Sequence, residues 1–179
     1  SLLAPNRNQP MTREEIEQRL MSELCADRVV WLDHGSLTGD DTDGHIDTTV
    51  RTAPDDTLVY TGCDDSGDGQ YEDFGMLEEQ LRGLRTADGQ PYRLLRLPMP
   101  DAVYYDGERL PATYANFLVI NGAVIVPEYG QPEKDAEARR VIAEAFPGRE
   151  TIGVNALAVV RQHGSLHCLT MQFPKGCMR

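Results

Sequence analysis

Two short runs carry residue types that could do chemistry. In residues 162–170 (QHGSLHCLT), Cys168 stands just after a Gly164–Ser165 loop and next to His167. A cysteine so placed can sit at the lip of a cleft, where backbone N–H groups or a nearby imidazolium favour the thiolate that nucleophilic chemistry requires. In residues 40–47 (DDTDGHID), a histidine and a carboxylate lie two residues apart at the end of an acidic loop. If His45 opens a strand, period-two alternation puts His45 and Asp47 on one face, pairing a proton carrier near neutral pH with a carboxylate.

Each run also has a structural reading. Asp40, Asp41 and Asp43 could merely solvate a loop that ends on His45, and Cys168 could be a small buried hydrophobe beside a surface histidine. His163, His167 and Cys168 could ligate a metal, but adjacent residues point in different directions and no second Cys or His pair has zinc spacing. The other cysteines look ordinary: Cys25 ends a helix, Cys63 lies in an acidic loop and Cys177 is in the tail. Four cysteines are too few and too scattered for a secreted disulfide framework, which favours reduced thiols.

The elements that must position these runs recur in a fixed order. Thr12 and Glu15 form a capping-box pair, and Ile16, Leu20 and Leu24 recur every four residues, predicting an amphipathic helix. A strand at 29–32, a loop at 33–44 and strands at 45–52 and 57–60 follow, the last two separated by the turn residues Pro54, Asp55 and Asp56. A second pass gives a helix at 71–86, a strand at 92–97, a loop at 98–111, and strands at 114–120 and 123–126 joined by the hairpin signal Asn121–Gly122. A third gives a helix at 134–146, a strand at 150–154 and, after another loop, an extended stretch at 169–173. Aligning Trp31, Leu95 and Ile152 sets spacings of 64 and 57 residues between units of helix, strand, loop, strand and strand. Such units close a core by stacking around a ring with their loops on one face, and fewer than three should not close one. The expectation is a chain that is part of a larger ring, or one that borrows surface from another copy as a homo-oligomer.

Length and composition set the outer bounds. At 179 residues and 40% hydrophobic, residues 1–179 suit a single domain with a real core. No apolar run reaches the ~18 residues of a membrane span, and residues 1–10 lack the basic and apolar regions of a signal peptide, so the expected compartment is the cytoplasm. The net charge of -12 disfavours nucleic acid and anionic membranes as partners, whereas a small cationic substrate would be welcome.

Taken together, these residues resemble the C-terminal half of the agmatine deiminase and bacterial-type peptidyl-arginine deiminase family. The match runs from Asn6, Arg7 and Asn8 through Val30, Trp31, Leu32 and the 40–47 run. It continues with Tyr114, Ala115, Asn116 and Phe117, with Ile125, Val126 and Pro127, and with Leu166, His167 and Cys168 followed by Thr170, Gln172 and Pro174. The pairing of TDGHID with a distant LHC is its specific part. The resemblance implies an α/β fold, a partial propeller of the pentein type, with about two and a half to three ββαβ modules of a five-module ring.

It further implies that Cys168 is the nucleophile, His45 the general acid and base, and Asp47 a carboxylate gripping the guanidinium. Asp41, Asp43 and Gly164 join Asp47 as expected substrate contacts, and acidic residues outside this chain would complete the clamp. The implied reaction converts agmatine to N-carbamoylputrescine and ammonia through a Cys thiouronium intermediate, with no metal and no organic cofactor. Amidino transfer on the same scaffold and a non-catalytic guanidine-binding or assembly module are the alternatives. His163 departs from the pattern, being bulky where the family usually has glycine.

Overall fold

The computed structural model describes residues 1–173, 176 and 177, and within them two stretches of chain fold the same way; Pro174 lies outside the described residues. In the first, β1 (Val50–Ala53) pairs antiparallel with β2 (Thr57–Gly62), the chain crosses over through α2 (Tyr71–Gly83), and β3 (Arg93–Pro98) returns parallel to β2. In the second, β6 (Leu118–Ile120) pairs antiparallel with β7 (Ala123–Glu128), α3 (Pro132–Ala145) crosses over, and β8 (Glu150–Asn155) returns parallel to β7. Each is a ββαβ unit with a three-stranded sheet. The expected repeat holds in register at two of its three aligned positions: Leu95 pairs with Val59 and Ile152 with Ile125, each the third residue of its returning strand, whereas Trp31 lies in no strand. A parallel return needs a crossover of a dozen or more residues, and the helix that supplies it buries one stripe on the sheet. In α2 that stripe is Phe74, Leu77 and Leu81, and in α3 it is Ala138, Val141, Ile142 and Ala145.

The first helix, α1 (Arg13–Leu24), is capped as expected, with Thr12 Oγ1 accepting from Glu15 N and Glu15 Oε2 accepting from Thr12 N at 2.7 Å. Its apolar face is only partly used, because Ile16 is buried while Leu24 is 69% exposed. The strand expected at 29–32 has no regular secondary structure and no strand partner among the described residues, since neither sheet reaches it. Trp31 is held there by side chains of α1, its indole N–H donating to Glu17 and the Arg13 guanidinium lying 4.6 Å from its ring centroid.

Four further expectations change. The strand expected at 45–52 opens instead as a 3-10 turn, Ile46–Thr48, and only Val50–Ala53 is strand. The strand expected at 114–120 is confined to Leu118–Ile120, and the stretch at 169–173 forms no strand. The loop expected at 98–111 contains a short hairpin, β4 (Tyr104–Tyr105) with β5 (Glu108–Arg109). The Asn121–Gly122 turn is as expected, with Ile120 opposite Ala123 and Gly122 supplying the positive φ. The described residues form two sheets of three strands and one hairpin, and no closed ring. Among them, no helix is long and apolar enough to cross a membrane.

The core has two parts. One packs α3 and the second sheet around Tyr114, Phe117, Val124, Val126, Ile142 and Val160, with Phe117 and Phe146 meeting edge to face. The other packs α2 on the first sheet around Leu58, Tyr60, Phe74 and Leu77. Tyr114, Ala115 and Phe117 belong to the first part, and the buried stretch 113–117 also carries the polar side chains of Thr113 and Asn116.

Candidate active site

Burying an amide requires partners, and Asn116, fully buried, finds them in both of the runs singled out from the sequence. Its Nδ2 donates to the carboxylate Oδ2 of Asp47 at 3.0 Å and to the Asp47 carbonyl at 3.2 Å. Its Oδ1 accepts from the backbone N–H of His167 at 3.0 Å, from that of Cys168 at 3.3 Å and from the Cys168 thiol at 3.3 Å. The imidazole Nδ1 of His167 donates to the same Asp47 Oδ2 at 2.7 Å. Asp47 and Cys168, 121 residues apart in sequence, are thereby joined through one side chain.

Two turns present these groups. Ile46–Thr48 coils on the Thr42 and Asp40 side chains: Asp40 accepts from Thr42 N and Oγ1 and from Gly44 N, and Thr42 Oγ1 accepts from His45 N. The second turn, His167–Leu169, begins where Gly164 lets the chain pass the thiol; a Cβ added there would lie 3.0 Å from Cys168 Cβ and 3.6 Å from its Sγ. Tyr129 anchors this loop from below, its hydroxyl sharing a hydrogen bond with Ser165 Oγ at 3.0 Å while it also contacts Thr113 N and O. Burial raises the Tyr129 phenol to about 12, so it stays protonated at this junction.

His45 and Asp47 both line a cavity of about 740 Å³, together with Gly44, Ile46, Val50, Arg51 and the 29–32 segment. The alternation argument for placing them together is overturned, because a 3-10 turn repeats every three residues and does not put positions two apart on one face. They share the cavity because the turn wraps its rim. Among the described residues, the hydrogen bonds of His45 are made by its backbone, and the Asp47 carboxylate is bonded to His167 and Asn116.

The other expected contacts are less engaged. Asp43, at φ 59, forms an exposed ion pair with Arg7 at 3.5 Å, and Asp41 is exposed on the same loop. His163 occupies a left-handed position at φ 61 and meets Gly39 O through its Nδ1 at 2.8 Å. That conformation is the one a glycine adopts without cost.

Asn116, His167 and Arg51 were missed as site residues by sequence reasoning. An asparagine inside the apolar run YANFLV was the available signal for the first, since a buried amide must be bonded. Arg51 donates to the carbonyls of Ala115 at 3.1 Å and Phe117 at 2.6 Å, and its guanidinium lies 4.5 Å from the Phe117 ring centroid. Burial lowers the Arg51 pKa from its ordinary value, an effect opposed by the charges of Asp47 and Cys168. Nothing in the sequence around Arg51 announces that role, because its partners are backbone carbonyls 64 and 66 residues away.

A thiol beside a bonded imidazole and carboxylate, carried on loops of repeated ββαβ units, defines an α/β repeat protein with a cysteine-centred candidate active site. The chain belongs to the Porphyromonas-type peptidyl-arginine deiminase family, whose sequence profile matches residues 1–174. It is similar to a structure of a candidate arginine deiminase from Porphyromonas gingivalis, at 51% identity and a TM-score of 0.95 over 98% of this chain and 51% of that one. A C. jejuni agmatine deiminase, a cysteine-to-serine variant with substrate bound, aligns at 38% identity and a TM-score of 0.86 over 93% of this chain and 48% of its own. The agmatine deiminase of Pseudomonas putida (strain F1) is 34% identical over 97% of this chain and 51% of its own length. The chain thus spans about half the length of the curated relatives it matches.

Proposed function

We propose that the protein hydrolyses the guanidinium group of a small cationic substrate, agmatine first, with Cys168 as nucleophile. The observation that carries this reading is the single bonded network joining the Asp47 carboxylate to the Cys168 thiol. The names of the relatives support the substrate class, and the C. jejuni variant shows that an agmatine deiminase holds its substrate when a cysteine is replaced by serine.

A guanidinium carbon resists attack because resonance spreads its charge, so a carboxylate must hold the group in place and offset that charge. Asp47 provides one such grip at the cavity rim. The Cys168 thiolate adds to the guanidinium carbon, and His45 as imidazolium protonates the departing nitrogen, releasing ammonia and leaving a thiouronium. Neutral His45 then takes a proton from water, the hydroxide adds to the same carbon, and the thiolate leaves; the added hydroxyl gives up its proton to solvent, where the released ammonia takes it, and the ureido product remains. Atoms balance as guanidinium plus water to urea plus ammonium, with no metal or organic cofactor consumed. Gly164 leaves room beside the thiol for the substrate, while Asp41 and Asp43 add negative potential at the rim. The ring of five modules belongs to this proposal too, with the two ββαβ units as part of it.

The test is ammonia release and N-carbamoylputrescine formation from agmatine by the protein in its full encoded length. Cys168→Ala abolishes both; retention of the full rate by that variant sinks the mechanism. A new guanidine formed when amines are added would instead indicate amidino transfer.

A further inference from the structure

We infer that Asn116 is a positioning residue that fixes the Asp47 carboxylate against the Cys168 nucleophile, so that a bound planar cation is presented to sulfur. The inference rests on the cysteine-centred reading above and adds to it a residue that touches neither the reacting carbon nor the leaving group.

The side chain's orientation is set by its neighbours. His167 N and Cys168 N can only donate, so the amide oxygen must face them, and the amide nitrogen must face the Asp47 carboxylate, which only accepts. An amide has two donors and one two-lone-pair acceptor, and Asn116 spends the first on Asp47 and the second on the 167–168 turn. No other side chain of this length combines the two. Aspartate would put a carboxylate against Asp47, leucine has neither function, and glutamine is one methylene too long for a fully buried position.

The residue is itself fixed. Arg51 pins the carbonyls on either side of it, and Tyr129 ties Thr113, three residues before it, to Ser165, three residues before Cys168. The carboxylate and the thiol are therefore referred to one rigid point, although their two turns belong to different units of the fold.

This predicts a signature that depends on the cation. Cys168 is exposed and can be alkylated, and two reagents of equal shape, chloroacetamide and chloroacetamidine, differ in charge, the second carrying a planar amidinium like the proposed substrate. The ratio of the cationic to the neutral alkylation rate at Cys168, followed by mass spectrometry and divided by the same ratio for a free small thiol, measures how well Asp47 presents a cation to sulfur. In the full-length protein the ratio exceeds unity and falls to near unity in Asp47→Asn. Asn116→Ala lowers it by about tenfold while the neutral rate changes by less than about threefold, the effect of losing a held ion pair. If Asn116→Ala does not fold, Asn116→Leu, which keeps the volume but has neither the donor nor the acceptor, shows the same fall. A structural role alone would lower the melting temperature and leave the ratio intact; an unchanged ratio in a folded Asn116 variant, or a wild-type ratio of unity, overturns the inference. Ammonia release judges the deiminase reading separately. A wild-type ratio above unity without ammonia release removes that reading and leaves Asn116 standing, whereas ammonia release with a ratio indifferent to Asn116 does the reverse.

Discussion

His163 sets a left-handed backbone against a single hydrogen bond. At φ 61 a side-chain-bearing residue costs about 1 kcal/mol relative to glycine, and the bond to Gly39 O returns a similar amount. His163→Ala keeps the strain and loses the bond, so it destabilises by about 1 kcal/mol; His163→Gly loses both and stays near wild type. Urea unfolding of the two variants checks the ordering, and a His163→Gly protein less stable than His163→Ala contradicts it. The same residue ties the acidic loop to the nucleophile loop, a role that neither its reading as a possible metal ligand nor its departure from glycine announced. At this scale type and spacing offered Cys168, His45 and Asp47 only as candidates beside structural readings, and the family resemblance singled them out. The sequence hid the partner that joins two of them, because Asn116 earns its place through contacts 51 to 69 residues away.

Among the elements, the β4–β5 hairpin is held to the start of α2 by one ion pair. Arg109 donates to both carboxylate oxygens of Asp68, at 3.0 and 2.6 Å, with the two side chains 19% and 13% exposed. The Arg109 hydrogen bonds are the largest cause that lowers Asp68 from its ordinary 3.8 to about 2, with burial opposing them. A depressed carboxylate contributes stability that is complete above its unfolded pKa and is lost as pH falls through the folded one. Arg109→Leu therefore costs about 1–2 kcal/mol at neutral pH, and its gap from wild type narrows as pH falls from about 4 toward 2. Denaturant titrations read by circular dichroism at several pH values follow that gap; a gap that widens on acidification contradicts the assignment. Helices α2 and α3 and the strands they connect were legible from apolar periodicity and turn residues. The hairpin was not, because its strands are two residues long and carry no alternation to read.

For the molecule as a whole, the two ββαβ units leave apolar surface uncovered. Ile152 and Val154 on the edge strand β8 are 37% and 38% exposed, Ile120 on β6 is 42% exposed, and Leu169, Met171 and Phe173 are exposed beyond them. An unpaired strand edge beside exposed apolar side chains is a template for association. Residues 1–179 expressed alone should self-associate, seen as a sedimentation coefficient that rises with concentration; a monodisperse monomer across the range counts against it. Sequence by itself determined the places of helices α1, α2 and α3, the strands that α2 and α3 connect and the 57-residue spacing of Leu95 and Ile152, and it offered the residue types of a thiol-based site. Those follow from local propensity and periodicity, which each segment carries within itself. Only the tertiary structure decided that Ile46–Thr48 is a turn, that residues 29–32 have no strand partner, and that Asn116 binds Asp47 to Cys168. Each of these depends on what lies opposite a segment in space, and a hydrogen bond between residues far apart in the chain leaves no period in the sequence to reveal it.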